Sequence, residues 1–196
     1  MSESATATYE WHQLPWRTLE VAVFKLERRL YKASHAGDTR RVHRLQHLLL
    51  KSRAATLLAI RRVTQDNQGK NTAGMDGIKS LTPQQRGALA THLGTLPIGR
   101  PTRRVWMPKR GTDDKRPLSI PTLHDRALQA LVTRVLEPEW EARFAPNSYG
   151  FRPGRSVHDA IGAICIALEK QPKDALDADI AKCFGAPGKA RRFPRV

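Results

Sequence analysis

The chain has 196 residues, of which 34 are Lys or Arg and 18 are Asp or Glu, giving a net charge of +16. A hydrophobic content of 40% supports one or two small domains with a real core and excludes wholesale disorder. No apolar run approaches the roughly 20 residues of a bilayer span, and the first residues lack a signal-peptide pattern. The two cysteines, Cys165 and Cys183, are too few for a disulfide framework or a zinc site, so a reducing cytoplasm fits. The basic excess points to a polyanionic partner, RNA or DNA ahead of a membrane surface. Charge alone would suit a ribosomal or a small DNA-binding protein equally well.

Residues 1–14 read as a disordered polar tail relieved only by Tyr9 and Trp11, and Pro15 suits a first helical turn. From Arg17 to Ala36, Leu19, Val23, Leu26 and Leu30 recur at helical spacing. Gly37 ends that helix and Asp38 caps a second, predicted from Thr39 to about Val63. Val42, Leu45, Leu49, Leu57 and Ile60 form its inner side, while Arg40, Arg41, Arg44, Lys51, Arg53, Arg61 and Arg62 occupy the others. A solvated face normally interleaves signs. Between Asp38 and Asp66 there is no acid, which favours phosphate contact.

Asn67 to Ile78 is a loop rich in Gly, Asn and Thr. Thr82 caps a helix with Pro83 at its first position, running to about His92. Residues 103–121 alternate as a β-hairpin, Val105 and Met107 flanking Trp106 before a polar turn and a return strand bearing Leu118 and Ile120. Lys109 and Arg116 near the tip either hold a phosphate chain or serve as solubility gatekeepers; the residues alone leave these readings level. Asp113-Asp114 lies in the turn and reads as turn chemistry.

Leu123 to Phe144 is predicted helical, with Leu128, Leu131, Val132, Val135 and Leu136 as an apolar stripe, Arg126 and Gln129 mostly facing away from it, and Pro138 ending or kinking it. The loop Pro146–Gly154 leads into Arg155. Its aromatics Tyr149 and Phe151, interleaved with Arg152 and Arg155, offer stacking for bases and charge for phosphates. One of the two aromatics could instead pin the loop to the core. Ser156 caps a helix from Val157 to about Lys170, with Ala160, Ile164 and Leu168 facing inward. Beyond Pro172, residues 175–184 read as a strand carrying Asp177 and Asp179. An ionised carboxylate on a buried strand is costly unless paired or bound to a cation. The pair is therefore either part of a solvated edge or a Mg²⁺ site for phosphoryl chemistry.

Five blocks decide between these readings: Arg104-Val105-Trp106-Met107-Pro108-Lys109-Arg110-Gly111, Lys115-Arg116-Pro117-Leu118-Ser119-Ile120-Pro121-Thr122, His124-Asp125-Arg126-Ala127-Leu128-Gln129, Leu136-Glu137-Pro138-Glu139-Trp140-Glu141 and Asn147-Ser148-Tyr149-Gly150-Phe151-Arg152-Pro153-Gly154-Arg155-Ser156. Followed by Asp177-Ala178-Asp179 and Phe184, they resemble the reverse transcriptase of group II introns, the intron-encoded maturase family. The resemblance runs from about Trp16 to Phe184. It implies an α+β fold: a basic helical N-terminal extension over 15–96, fingers over 97–174 and a first palm strand over 175–184. It also implies RNA-directed DNA polymerase chemistry, with intron RNA and template, DNA primer or target and deoxynucleotides as partners, in splicing and retrohoming. Asp179 then matches a catalytic Mg²⁺ ligand, with the main chain of Ile180 beside it, and Phe184 matches the ring beneath the nucleotide sugar. Lys109 and Arg116 match the grip on the triphosphate, and the loop Gly74-Met75-Asp76-Gly77 neighbours the template.

After Phe184 the family pattern continues with Asp and a second palm hairpin, whereas residues 185–196 are free of acids and dense in Pro, Gly and Arg. Such a change resembles a frameshift or truncation followed by a disordered basic tail. A two-metal site needs carboxylates from more than one strand, so the chain alone is expected to lack polymerase activity. The alternative is a non-catalytic RNA-binding module. Oligomeric state is left open.

Overall fold

A computed structural model describes residues 11–94, 99–108, 111, 113–170, 173–174, 176 and 178. The chain divides into two compact units, 1–145 and 146–196, and the helix-rich architecture with one antiparallel hairpin is α+β.

The first unit starts at a short 3₁₀ turn, Trp11–Gln13, with Trp11 buried. The Trp11 indole donates to Gln65 Oε1 at 2.7 Å, and its ring lies 5.0 Å from that of Trp16. Trp11–Gln13 is therefore structured, ahead of the expected boundary at residue 15, because Trp11 supplies a large apolar surface and satisfies its own N–H.

Helix α1, Trp16–His35, ends in a Schellman arrangement: Gly37 at φ +72° donates to Ser34 O, and Asp38 N donates to Ala33 O. Asp38 then caps α2, Thr39–Leu50, by accepting from Arg41 N at 3.0 Å. The long second helix predicted to Val63 is in fact two. Ser52 adopts an extended backbone and its hydroxyl accepts from Ala55 N, starting α3 at Arg53–Arg61. The apolar stripe runs through the break because both helices pack on one core, so periodicity alone does not reveal it. After α3 the chain makes a π-turn, Arg62–Asp66, closed by Asn67 N donating to Arg62 O at 2.9 Å.

Helix α4, Pro83–His92, has the predicted cap and adds a full capping box between Thr82 and Gln85. Strands β1 (Arg103–Pro108) and β2 (Lys115–Ile120) pair antiparallel, with Trp106 opposite Pro117 and Met107 opposite Arg116. Helix α5, Leu123–Glu141, is capped by Thr122 and continues through Pro138 to Glu141. Its last turn is tied down from outside: Ser34 Oγ donates to Glu139 O at 3.0 Å and Gln46 Nε2 to Glu139 Oε2 at 2.6 Å. Those contacts offset the backbone bond that proline cannot make.

The core lies where α1, α2, α3 and α5 meet, with Val23, Leu30, Val42, Leu49, Ile60 and Leu131 among its buried members. Each such side chain contributes roughly 2 kcal/mol by burial. Val132 and Leu136 of the predicted α5 stripe are exposed, while Leu131 and Val135 carry the contact.

In the second unit α6 spans Val157–Lys170. Ser156 Oγ accepts from Asp159 N, and Asp159 Oδ2 accepts in return from Ser156 N. The predicted inward face is corrected. Ile164 and Leu168 are 57% and 52% exposed, and Ala160, Ala163 and Ala167 are the partly buried positions. Apolar residues surround this helix, so spacing does not choose a face. The strand predicted over 175–184 lies mostly outside the described residues; Leu176 and Ala178 are described and belong to no strand.

Candidate nucleic-acid interface

Helix α2 turns Val42, Leu45 and Leu49 inward and thereby presents Arg40, Arg41 and Arg44 to solvent. None of the three makes an ion pair among the described residues. Four acids of the bundle are engaged by other arginines. Glu20 and Asp66 lie 3.3 and 3.7 Å from Arg61, Glu27 lies 2.9 Å from Arg134, and Glu139 lies 2.7 Å from Arg143. Burial raises the Glu27 carboxyl pKa above the ordinary value of 4.5, an effect that Arg134 partly opposes.

Arg61 and Arg62, adjacent in sequence, part company. Arg61 sits between two carboxylates with its guanidinium 4.9 Å from the Trp16 ring centroid, which serves the fold. Arg62 is exposed at the start of the π-turn and keeps its charge available.

The loop between the π-turn and α4 is held by a residue that sequence reasoning left without a role. Arg126 donates from Nη1 to Gly69 O at 2.9 Å and from Nη2 to Thr72 O at 2.6 Å. Burial lowers its pKa below the usual arginine value, and the Asp76 charge opposes that shift. A signal existed: a cation in the first turns of a helix opposes the macrodipole and implies another use. Farther along the loop, Gly74 lies against the start of α5. A Cβ there would meet Thr122 Cα at 2.8 Å and Pro121 O at 2.9 Å.

Residues opposite one another in the hairpin share a face. One face carries Arg104, Trp106 and Lys115, with Trp106 56% exposed; the other carries Arg103, Val105, Met107, Arg116 and Leu118. Arg116 is exposed, Asp113 lies exposed in the turn, and Lys109 lies outside the described residues.

In the second unit, Arg152 is buried and donates to Ser148 O at 2.8 Å, closing the loop that holds Tyr149. The Arg155 guanidinium stacks 5.3 Å from the Tyr149 ring centroid. Phe151 adopts φ +58°, unusual for a bulky residue, and its ring is fully exposed. Tyr149 and Arg155 thus form a pair, and Phe151 projects alone.

Asp177, Asp179, Ile180 and Phe184 lie outside the described residues. Among the described residues no His, Cys, Asp or Glu cluster could hold a metal ion, and no helix is long and apolar enough to cross a membrane.

Two family models match the chain in succession. The N-terminal domain of reverse transcriptase matches residues 11–93, and reverse transcriptase (RNA-dependent DNA polymerase) matches residues 107–186. A 65-residue stretch is 42% identical to the group II intron-encoded protein LtrA of Lactococcus lactis subsp. cremoris, covering 33% of this chain and 11% of that protein. The chain belongs to the group II intron reverse transcriptase and maturase family. Other family relatives align more broadly. Maturase-like protein 1 of Euglena gracilis is 34% identical over 78% of this chain and 34% of its own length. Protein YkfC of Escherichia coli is 32% identical over 83% of this chain and 44% of its own length. The chain therefore spans less than half the length of each of these relatives. Within this reverse transcriptase chain, the two matched regions hold the α2 face and the hairpin respectively.

Proposed function

We propose that this chain supplies the RNA-gripping and nucleotide-facing part of a group II intron RNA-directed DNA polymerase, acting in intron RNA binding, splicing and retrohoming. The observation that carries the reading is the face of α2, where Arg40, Arg41 and Arg44 stand exposed with no ion pair among the described residues. Charges so placed neutralise phosphates and release counterions, which gives affinity without sequence preference. Tyr149, Phe151 and Arg155 fit a second contact, in which a ring stacks on a base and a guanidinium meets the backbone, whereas the buried Arg152, expected to join them, shapes the loop instead.

In the complete enzyme, Lys109 and Arg116 at the hairpin would hold the triphosphate of an incoming deoxynucleotide. Asp179, with the main chain of Ile180, would be a ligand of Mg²⁺, and Phe184 would face the sugar; DNA primer or target completes the partner set. A bound Mg²⁺ pair activates the primer hydroxyl and stabilises the departing pyrophosphate. Two cysteines and a basic, apolar-run-free sequence suit a cytoplasmic setting.

The test is RNA binding across a salt series. Wild type should lose affinity linearly on a log–log plot, by a slope of roughly 0.7 per phosphate contacted on single strands. Replacing Arg40, Arg41 and Arg44 by Ala should lower that slope by about 2 and weaken all RNA sequences alike. A salt-independent affinity would overturn the proposal.

A further inference from the structure

Two clefts flank the π-turn, and their linings differ in charge. One, of about 490 Å³, contains Glu20, Glu27 and Asp66 beside Arg61, Arg62 and Arg134, so its cations are matched by acids. The other, of about 420 Å³, is bounded by the π-turn, the 67–69 turn and α5, and no carboxylate lines it. Arg126 lines this second cleft, and Arg62 stands between the two and lines both. The acceptors of Arg126 are the neutral carbonyls of Gly69 and Thr72, which leave its charge in place, and its buried Nε has no acceptor among the described residues.

We propose that this second cleft binds one unpaired nucleotide, its phosphate drawn to Arg62 and its base seated among the amides. Besides the arginines, the lining offers the amides of Asn67, Gln68 and Gln129, with Val63 and Ala130 as apolar wall. A phosphate accepts hydrogen bonds and has no use for amide carbonyls, whereas a base edge presents donors and acceptors together. The volume falls in the range of roughly 300–1,000 Å³ usual for small-ligand sites. The π-turn contributes by adding one residue to the helical turn, which carries Arg62 and Asn67 to the cleft together. The inference deepens the RNA-binding reading above and rests on it for its ligand class, which a strand or a free nucleotide could supply.

The experiment uses the 196-residue chain and two probes. Calorimetry measures binding of nucleoside 5′-monophosphates, and fluorescence follows a short single-stranded RNA containing 2-aminopurine. Gln129→Leu should weaken binding of at least one probe about tenfold, the loss of one hydrogen-bond partner in a ligand site. Arg62→Ala should weaken both probes, since each carries a phosphate. Gln129 is exposed, so Gln129→Glu keeps the fold and should repel the phosphate. Loss confined to the RNA assigns the cleft to a strand, and loss confined to the monophosphates assigns it to a free nucleotide; both support the site. Insensitivity of both probes to Gln129→Leu and Arg62→Ala overturns it. The α2 triple variant separates this from the parent reading, because it should weaken RNA without changing monophosphate binding.

Discussion

The Arg126 guanidinium donates to the carbonyl of Thr72 at 2.6 Å, although 54 residues separate them. With the parallel bond to Gly69 O, one side chain ties a 3₁₀ turn at Gln68–Asn71 to the irregular segment that follows it before α4. Arg126→Lys keeps the charge and loses the fork. It should cost about 2 kcal/mol or less and speed amide hydrogen exchange across residues 67–78. Exchange in α1 should stay unchanged, since that helix does not contact the fork.

Glu27 and Arg134 give a pH-dependent outcome. The folded pKa of Glu27 lies above 4.5, so the fold favours its protonated form. The stability it contributes is present below that value and is lost as pH rises through the raised pKa. Arg134→Ala removes the opposing attraction and should push that pKa further up. The variant should be destabilised by about 2 kcal/mol near neutral pH, and the deficit should shrink as pH falls toward 4.5. Urea denaturation at stepped pH checks this; a deficit constant with pH would assign the loss to packing.

Phe151 holds a strained backbone and an unburied ring, so its two contributions have opposite signs. Phe151→Gly relieves the positive φ, worth about 1 kcal/mol at such positions, and removes a stacking surface worth roughly 1–3 kcal/mol per base. Thermal stability should hold or rise while RNA affinity falls. A fall in both would mean that the ring supports the loop.

Arg116 faces solvent on the hairpin, so Arg116→Ala should leave the melting temperature of this chain unchanged. In a full-length relative-like enzyme, the same change should raise the nucleotide KM, with Arg116→Lys intermediate because a lysine cannot bind bidentately. An unchanged KM would assign the residue to template or to solvent.

Local chemistry was legible in the sequence. Asp38, Thr82 with Pro83, and Ser156 each cap a helix through a hydrogen bond spanning three residues, and the period-2 pattern of 103–121 gives the hairpin. What escaped was either masked by continuity or set at long range. Ser52 interrupts a stripe that otherwise runs unbroken from Val42 to Ile60. Arg61 reads like Arg62 until Glu20, 41 residues away, takes it inward. In α6, apolar residues on every side concealed that the alanines turn in. The family resemblance was legible because its blocks, in the hairpin, along α5 and in the loop before α6, are matched residue by residue and not by periodicity. The roles of Asp179, Lys109 and Phe184 remain proposals resting on that resemblance.

Gly74 touches the short connector that joins β2 to α5, main chain against main chain. A contact of that kind uses no side chain from either partner except the missing one. It brings the Gly74–Gly77 loop against the connector through backbone atoms, so the spacing of the two depends on the absence of a Cβ. Side chains along both segments can change without altering that spacing, whereas a single methyl group at residue 74 would force them apart.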